Sequence, residues 1–198
     1  MQMSRDRGHR QYFAYGENMH PDVILERCAS PRVIGTARLP AFRMDFFGYS
    51  ARWDGAMESA VRDPREEIWG VLYELDFDDA ELLDGFLDVR LDGTGSHYHM
   101  PVELTLSDGT VTDALMHVLS EMGRFRPPSS QYLNHVVEAA RKRGLPKLYI
   151  ERLYSTPCCP ATYTVPREAG MGQATCDCGG DMRQELRLEM QRAGMGMA

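Results

Sequence analysis

The stretch Tyr12-Phe13-Ala14-Tyr15-Gly16-Glu17-Asn18-Met19 constrains this chain more than any other. Its aromatic run reads as a short buried strand, stopped by a glycine, with a helix opening at His20-Pro21-Asp22. Pro21 suits the first helical position and Asp22 suits the positive helix end. A glycine at a strand-to-helix turn lets backbone N–H groups converge with no Cβ in the way. Such a turn can receive a carboxylate or another polar ligand.

The pattern downstream is that of several short strands with helices inserted between them. Phe42, Met44 and Phe46 alternate with Arg43 and Asp45, the period-2 pattern of a half-buried strand. Phe47 to Trp53 reads as a loop. Residues 56–61 and 68–75 read as two strands joined at Asp63-Pro64-Arg65. Asp78-Asp79-Ala80-Glu81 has the form of a capping box, with Leu82, Leu83 and Phe86 at helical spacing behind it. Tyr98, Met100, Val102, Leu104 and Leu106 alternate, and Asp108-Gly109 predicts a hairpin turn into a strand over 111–119. Ser129 or Ser130 caps a helix that buries Tyr132, Val136, Ala139 and Ala140, and Gly144 closes it. Leu145-Pro146 leads into a second short helix ending at Leu153. The sum is an α+β domain on a small, mixed, mostly antiparallel barrel with inserted helices.

Several blocks resemble the gamma-glutamylcyclotransferase-like (AIG2-like) family in order and spacing. They are the Tyr12–Met19 opening, Ala37 to Phe46, Trp53-Asp54-Gly55, Glu67 to Tyr73, Pro128 to Leu133, and Gly144-Leu145-Pro146. The resemblance implies the same small barrel over residues 11–154. It also implies a reaction in which a substrate's α-amine attacks its own γ-carbonyl and releases 5-oxoproline. One carboxyl group must then carry a proton from the attacking amine to the leaving amine.

The family's acid stands in an L-D-x-x-E-G run. The matching residues here are Leu83-Asp84-Gly85-Phe86-Leu87-Asp88, which puts Leu87 at the glutamate position. Glu17 replaces the turn serine of the family, and Glu58 stands where relatives carry a small apolar residue. Glu17, Glu58 and Asp88 are therefore the candidate catalytic acids. Tyr15, Gly16, Asn18, Met19, Leu87, Tyr98 and Tyr132 are the expected substrate contacts.

Three readings follow from these departures. The first is a diverged enzyme using Glu17, helped by Glu58 or Asp88, on a small amine- or amide-bearing metabolite other than a standard gamma-glutamyl amino acid. The second is an inactive relative that binds a small molecule. The third is a true cyclotransferase with Asp88 as a displaced acid. On the first, Glu17 is expected in a largely apolar pocket walled by Tyr15, Tyr132 and Leu87, with its pKa raised by burial. His97 and His99 are expected to point outward on the strand face opposite Tyr98; with Glu17 and Glu58 they form a further candidate metal set.

Composition narrows the partners. The 198 residues are 43% hydrophobic and 26% charged, with a formal charge of −7. That suits a soluble globular domain with a small-molecule substrate and argues against nucleic acid or an anionic membrane. No run of about 20 apolar residues is present. Residues 1–10 read as a flexible basic tail with no signal-peptide core, which implies a cytoplasmic protein. No catalytic cofactor is expected, and no phosphate-loop or dinucleotide fingerprint is present. Residues 155–198 form an appendage with Cys158, Cys159, Cys176 and Cys178. Four thiolates so close in sequence suit a structural zinc, although the tight Cys-Cys and Cys-x-Cys spacing is unusual for one. Disulfides, or a cysteine-rich tail with no single state, are the alternatives.

Overall fold

The computed structural model describes residues 8–167, which lie within one compact unit. Five strands, β1 (Arg10–Ala14), β2 (Arg32–Ser50), β3 (Gly55–Leu75), β4 (His97–Leu106) and β5 (Val111–Leu119), close into a barrel in the order β1-β3-β2-β4-β5. Four helices complete it: α1 (Pro21–Arg27), α2 (Phe77–Phe86), α3 (Ser130–Lys142) and α4 (Lys147–Tyr154). Every pairing is antiparallel except the closure, where β1 meets β5 in parallel at Tyr12↔Leu115. None of the described helices is long and apolar enough to cross a membrane.

The β2–β3 hairpin is longer than the sequence pattern suggested. The two strands expected over 56–61 and 68–75 are one continuous strand, paired with β2 from Ser50↔Gly55 to Arg32↔Glu74. Much of the segment read as a loop after Phe46 also belongs to β2. Pro64 does not break β3 because the ladder skips it: Pro40 pairs with Glu67 and Phe42 with Arg62, leaving residues 63–66 opposite Ala41 alone. A proline, which has no N–H to give a ladder, is tolerated at such a bulge.

The β4–β5 turn forms where Asp108-Gly109 predicted it. Gly109 has φ +87°, and Leu106 and Thr110 close the loop through a 2.8 Å backbone bond. α2 begins two residues earlier than expected. Asp76 is its N-cap, accepting from the Asp79 backbone N–H at 2.8 Å. That leaves the Asp79 carboxylate, almost fully buried, to receive the backbone N–H groups of Ala29 and Ser30 just past α1, at 2.6 and 2.9 Å. α3 starts at its Ser129 cap and buries Tyr132, Leu133, Val136, Val137, Ala139 and Ala140. Beyond α4, the segment read as the start of an appendage returns to the barrel. Cys159 bonds through its backbone to Pro128 and Ser130, and Arg167 N–H bonds to the carbonyl of Arg52.

Candidate active site

β1 delivers Tyr12 and Tyr15 to one end of the barrel, and the chain then turns sharply at Gly16 into a single 3-10 turn, Glu17–Met19. Gly16 is required here by a close approach, since its φ is an ordinary −116°. A Cβ built on it would lie 1.5 Å from Oε1 of Glu58, on β3. The glycine thus lets the carboxyl of Glu58 rest directly on the turn backbone.

A small cavity of about 50 Å³ opens at this junction, lined by Tyr12, Tyr15, Gly16, Glu17, Asn18, Met57, Glu58, Leu87, His97 and His117. Met57 also borders an adjoining cleft of about 460 Å³, whose walls include Phe47, Tyr49, Thr94, Ser96 and Glu121. Among the described residues, no lysine or arginine lines the cavity.

Glu58 is its titrating group. Burial is the largest influence and pushes its pKa up to about 7. The nearby charge of Glu17 adds to that rise, while a bond from the Tyr132 hydroxyl and backbone hydrogen bonds at Glu17 and Glu58 oppose it. Tyr132 and Tyr15 are themselves held well above the ordinary phenol range, first by burial and next by the charge of Glu58. Both therefore act as neutral hydroxyls; that of Tyr15 donates to the His117 carbonyl at 2.8 Å.

Glu17 sits in different company from that expected. Its carboxylate is ion-paired with Arg27, whose other nitrogen bonds to Asn18, and it accepts from the Trp53 indole N–H at 3.2 Å. Arg27 and Glu17 are both buried, so the turn carries its own countercharge. The surroundings are polar and paired, not a largely apolar pocket.

The other expected contacts divide. Tyr15, Gly16, Asn18 and Leu87 line the cavity with the two glutamates. Tyr132 stands behind Glu58, its ring tilted against that of Trp53 with the centroids 4.9 Å apart. Met19 is fully buried and does not line the cavity. Asp88 does not reach it either: its carboxylate bonds to Arg90 at 2.8 Å and to Ser96 at 3.0 and 3.1 Å in an exposed loop, which also draws its pKa down. Tyr98 is 38% exposed and lies away from the cavity.

His97 and His99 do not point into solvent as expected. α2 folds over their strand face, so His97 lines the cavity with Nδ1 2.8 Å from the Leu87 carbonyl, and His99 meets α2 at Asp84. The sequence reading missed Arg27, Asp84 and His117. Asp84 falls in the matched Leu83-Asp84 run, which was a usable signal. His117 becomes visible only through its cross-strand pairing with His99.

Asp84 Oδ1 lies 2.7 Å from His99 Nε2 and 2.8 Å from His117 Nε2, and Oδ2 is salt-bridged by Arg10 at 2.6 Å. Burial works to raise the Asp84 pKa, but these three partners outweigh it and hold the carboxylate ionised. This is the one grouping with metal-compatible spacing among the described residues. The metal set of His97 and His99 with Glu17 and Glu58 is not assembled. Of the four tail cysteines, Cys158 and Cys159 are exposed free thiols, while Cys176 and Cys178 lie outside the described residues.

Comparison with known proteins agrees with this geometry. Residues 67–153 match the model of the AIG2-like family. The chain is 29% identical to mouse gamma-glutamylcyclotransferase over 148 residues, 72% of this chain and 76% of that protein. Against the human enzyme it is 27% identical over 146 residues, again 72% and 76% of the two chains. A solved gamma-glutamyl cyclotransferase superimposes with a TM-score of 0.73 at 26% identity, covering 80% of this chain and 94% of that one. With the barrel and its signature turn, these likenesses make the chain similar to the gamma-glutamylcyclotransferases and, over residues 67–153, to the AIG2-like family.

Proposed function

We propose that this chain is a cyclotransferase-type enzyme in which an amine of a small amide attacks that molecule's own carbonyl, with Glu58 moving the proton. The observation that carries this reading is the Glu58 carboxyl, set against the Gly16 turn at the cavity with a pKa near 7. A shuttle must give and take a proton in one turnover, and a pKa close to ambient pH makes both directions accessible. Glu17 belongs in this scheme as the paired charge that helps lift Glu58 and anchors the turn. Asp88, exposed and engaged elsewhere, gives a displaced-acid reading no support.

The lining also favours a substrate class. Two carboxyls and two histidines line the cavity, and among the described residues no lysine or arginine lines it to meet a carboxylate beside the reacting amine. The amine-bearing end then enters the small cavity, and the leaving part lies toward the cleft beyond Met57. A γ-amino amide without an α-carboxylate fits this better than a gamma-glutamyl amino acid.

The test compares N-alkyl 4-aminobutanamides with gamma-glutamyl-alanine, following 2-pyrrolidone and 5-oxoproline by mass spectrometry. The amino amides are expected to cyclise. Glu58→Gln should lose at least ~100-fold in kcat, the scale of general acid–base catalysis. Release of 5-oxoproline at roughly 1 s⁻¹ or faster would overturn the substrate assignment. A fully active Gln variant would overturn the role of Glu58.

A further inference from the structure

His117 has a ring nitrogen that no group among the described residues uses. Its side chain is buried and lines the cavity, Nε2 is engaged by Asp84, and Nδ1 is buried with no partner. Asp84, salt-bridged to Arg10, is an acceptor only, so both His99 and His117 must donate Nε2–H to it. That fixes the His117 tautomer with a bare lone pair on Nδ1.

A metal reading of the same three residues fails on two counts. A metal on Nε2 would require a proton on Nδ1, and a ligating imidazole ordinarily gives that N–H to an acceptor. Nδ1 has none here, and the Arg10 guanidinium already neutralises the carboxylate. His117 is one of the residues lining the cavity, and an unpartnered buried lone pair on such a residue suits an N–H donor brought by a ligand.

We propose that His117 Nδ1 binds the substrate's ammonium group and accepts its proton, with Asp84 as the residue that positions the ring. This rests on the amine-attack reading given above and adds the step that must precede it, because an ammonium has no lone pair with which to attack. The ammonium gives one proton to Nδ1, leaving a neutral amine and an imidazolium. The amine lone pair forms the C–N bond to the amide carbon, and the carbonyl π pair moves to oxygen. Glu58 takes a proton from the new ring nitrogen and gives one to the leaving nitrogen; the old C–N bond breaks as the carbonyl re-forms. The imidazolium then passes its proton to the departing amine, so one ammonium enters and one leaves. The charged or titratable groups around His117 are Asp84 from α2, His99 and His97 from β4, Arg10 and Tyr12 from β1, and Glu17 and Glu58 across the cavity. Burial is the main influence on the His117 pKa and lowers it, which suits a neutral resting base.

The experiment uses the full chain labelled with 15N-histidine, with long-range 1H–15N spectra near pH 8 and His117 assigned by its absence in His117→Gln. Wild type should show His117 protonated on Nε2 and bare on Nδ1. Added to the Glu58→Gln protein, 4-aminobutanamide should move the Nδ1 resonance upfield as it accepts the amine. His117→Gln should weaken that binding about tenfold or more, the loss of a hydrogen bond to a charged group. His117→Asn, whose side-chain oxygen falls near the Nδ1 position, should restore binding to within a few-fold. Asp84→Asn should switch the ring to the Nδ1–H tautomer, a change that mere loosening of the fold would not give. A proton on Nδ1 in wild type, or a His117 signal unmoved while cavity resonances shift, overturns the proposal. So does tight zinc uptake lost equally in His99→Asn and His117→Gln. Because the His117 tautomer is read in wild type without substrate, a fully active Glu58→Gln variant would overturn the shuttle and leave that result standing.

Discussion

A carboxyl exchanges protons near neutral pH only where its anion is held at a disadvantage, and at Glu58 burial supplies that, with the charge of Glu17 behind it. The same disadvantage is a stability effect. Its folded-state pKa lies above the ordinary 4.5, so the contribution is full below about pH 4.5 and is lost as pH rises through about 7. A rise of that size corresponds to about 3 kcal/mol. His97, His117 and His135 act in the opposite sense, because burial depresses their pKa values and the stability they bring fades as pH falls through the mid-6 range. The wild-type curve therefore mixes the two, and the difference between wild type and Glu58→Gln isolates one. Chemical denaturation at pH 5 and pH 8 should find the Gln variant close to wild type at the lower pH and more stable by roughly 2–3 kcal/mol at the higher. Equal differences at both would mean that Glu58 does not titrate in this window.

At the scale of elements, the helices hold the turn through a few buried polar ties. Asp79 is the clearest, because its carboxylate closes the end of α1 onto α2 by taking the N–H groups of Ala29 and Ser30. Asp79→Ala would orphan both donors, and two lost bonds to a charged acceptor are expected to cost about 2–4 kcal/mol in urea unfolding. Asp79→Asn, which keeps an acceptor, should cost less than half as much. Asp79 also shows where the sequence was legible and where it was not. A cap near the start of α2 was legible, though it was read at Asp78 and lies at Asp76; the partners of the Asp79 carboxylate lie fifty residues away and no local rule supplies them. The strands carried their signal in period-2 alternation and the Asp-Gly turn. The union of two of them into β3 did not, because it depends on Ala41 meeting the bulge around Pro64 from the other strand. For the site, the Gly16 turn and both glutamates were legible as departures from a family pattern. What each glutamate meets was not, since Arg27 reaches Glu17 from the far end of α1 and Tyr132 reaches Glu58 from α3. The histidines were misread because their strand face is polar by residue type and is covered only once α2 folds across it.

At the scale of the whole molecule, the site depends on chain beyond residue 153, where the match to the family model ends. Tyr132, which bonds to Glu58, is set by the Ser129 cap at the start of α3, whose backbone is held on one side by the strand-like contact with Cys159. The same returning segment ties Thr162 to Asp54 and Arg167 to Arg52, on either side of Trp53, the indole donor to Glu17. Residues 155–167 thus brace the support of both glutamates from outside the barrel. A chain ending at Arg167 keeps the whole of the compact unit and serves as the reference. One ending at Tyr154 loses three backbone hydrogen bonds made at Cys159 and Arg167. At roughly 1 kcal/mol each, that is on the order of 3 kcal/mol and about 6–12 °C in Tm for a domain of this size. Its effect on chemistry should exceed its effect on binding, because the segment braces Tyr132 and Trp53 and does not line the cavity. Activity of the shorter chain, measured well below its melting temperature, should fall in kcat with KM little changed. A shorter chain with wild-type kcat would show that α3 and its cap hold Tyr132 without help.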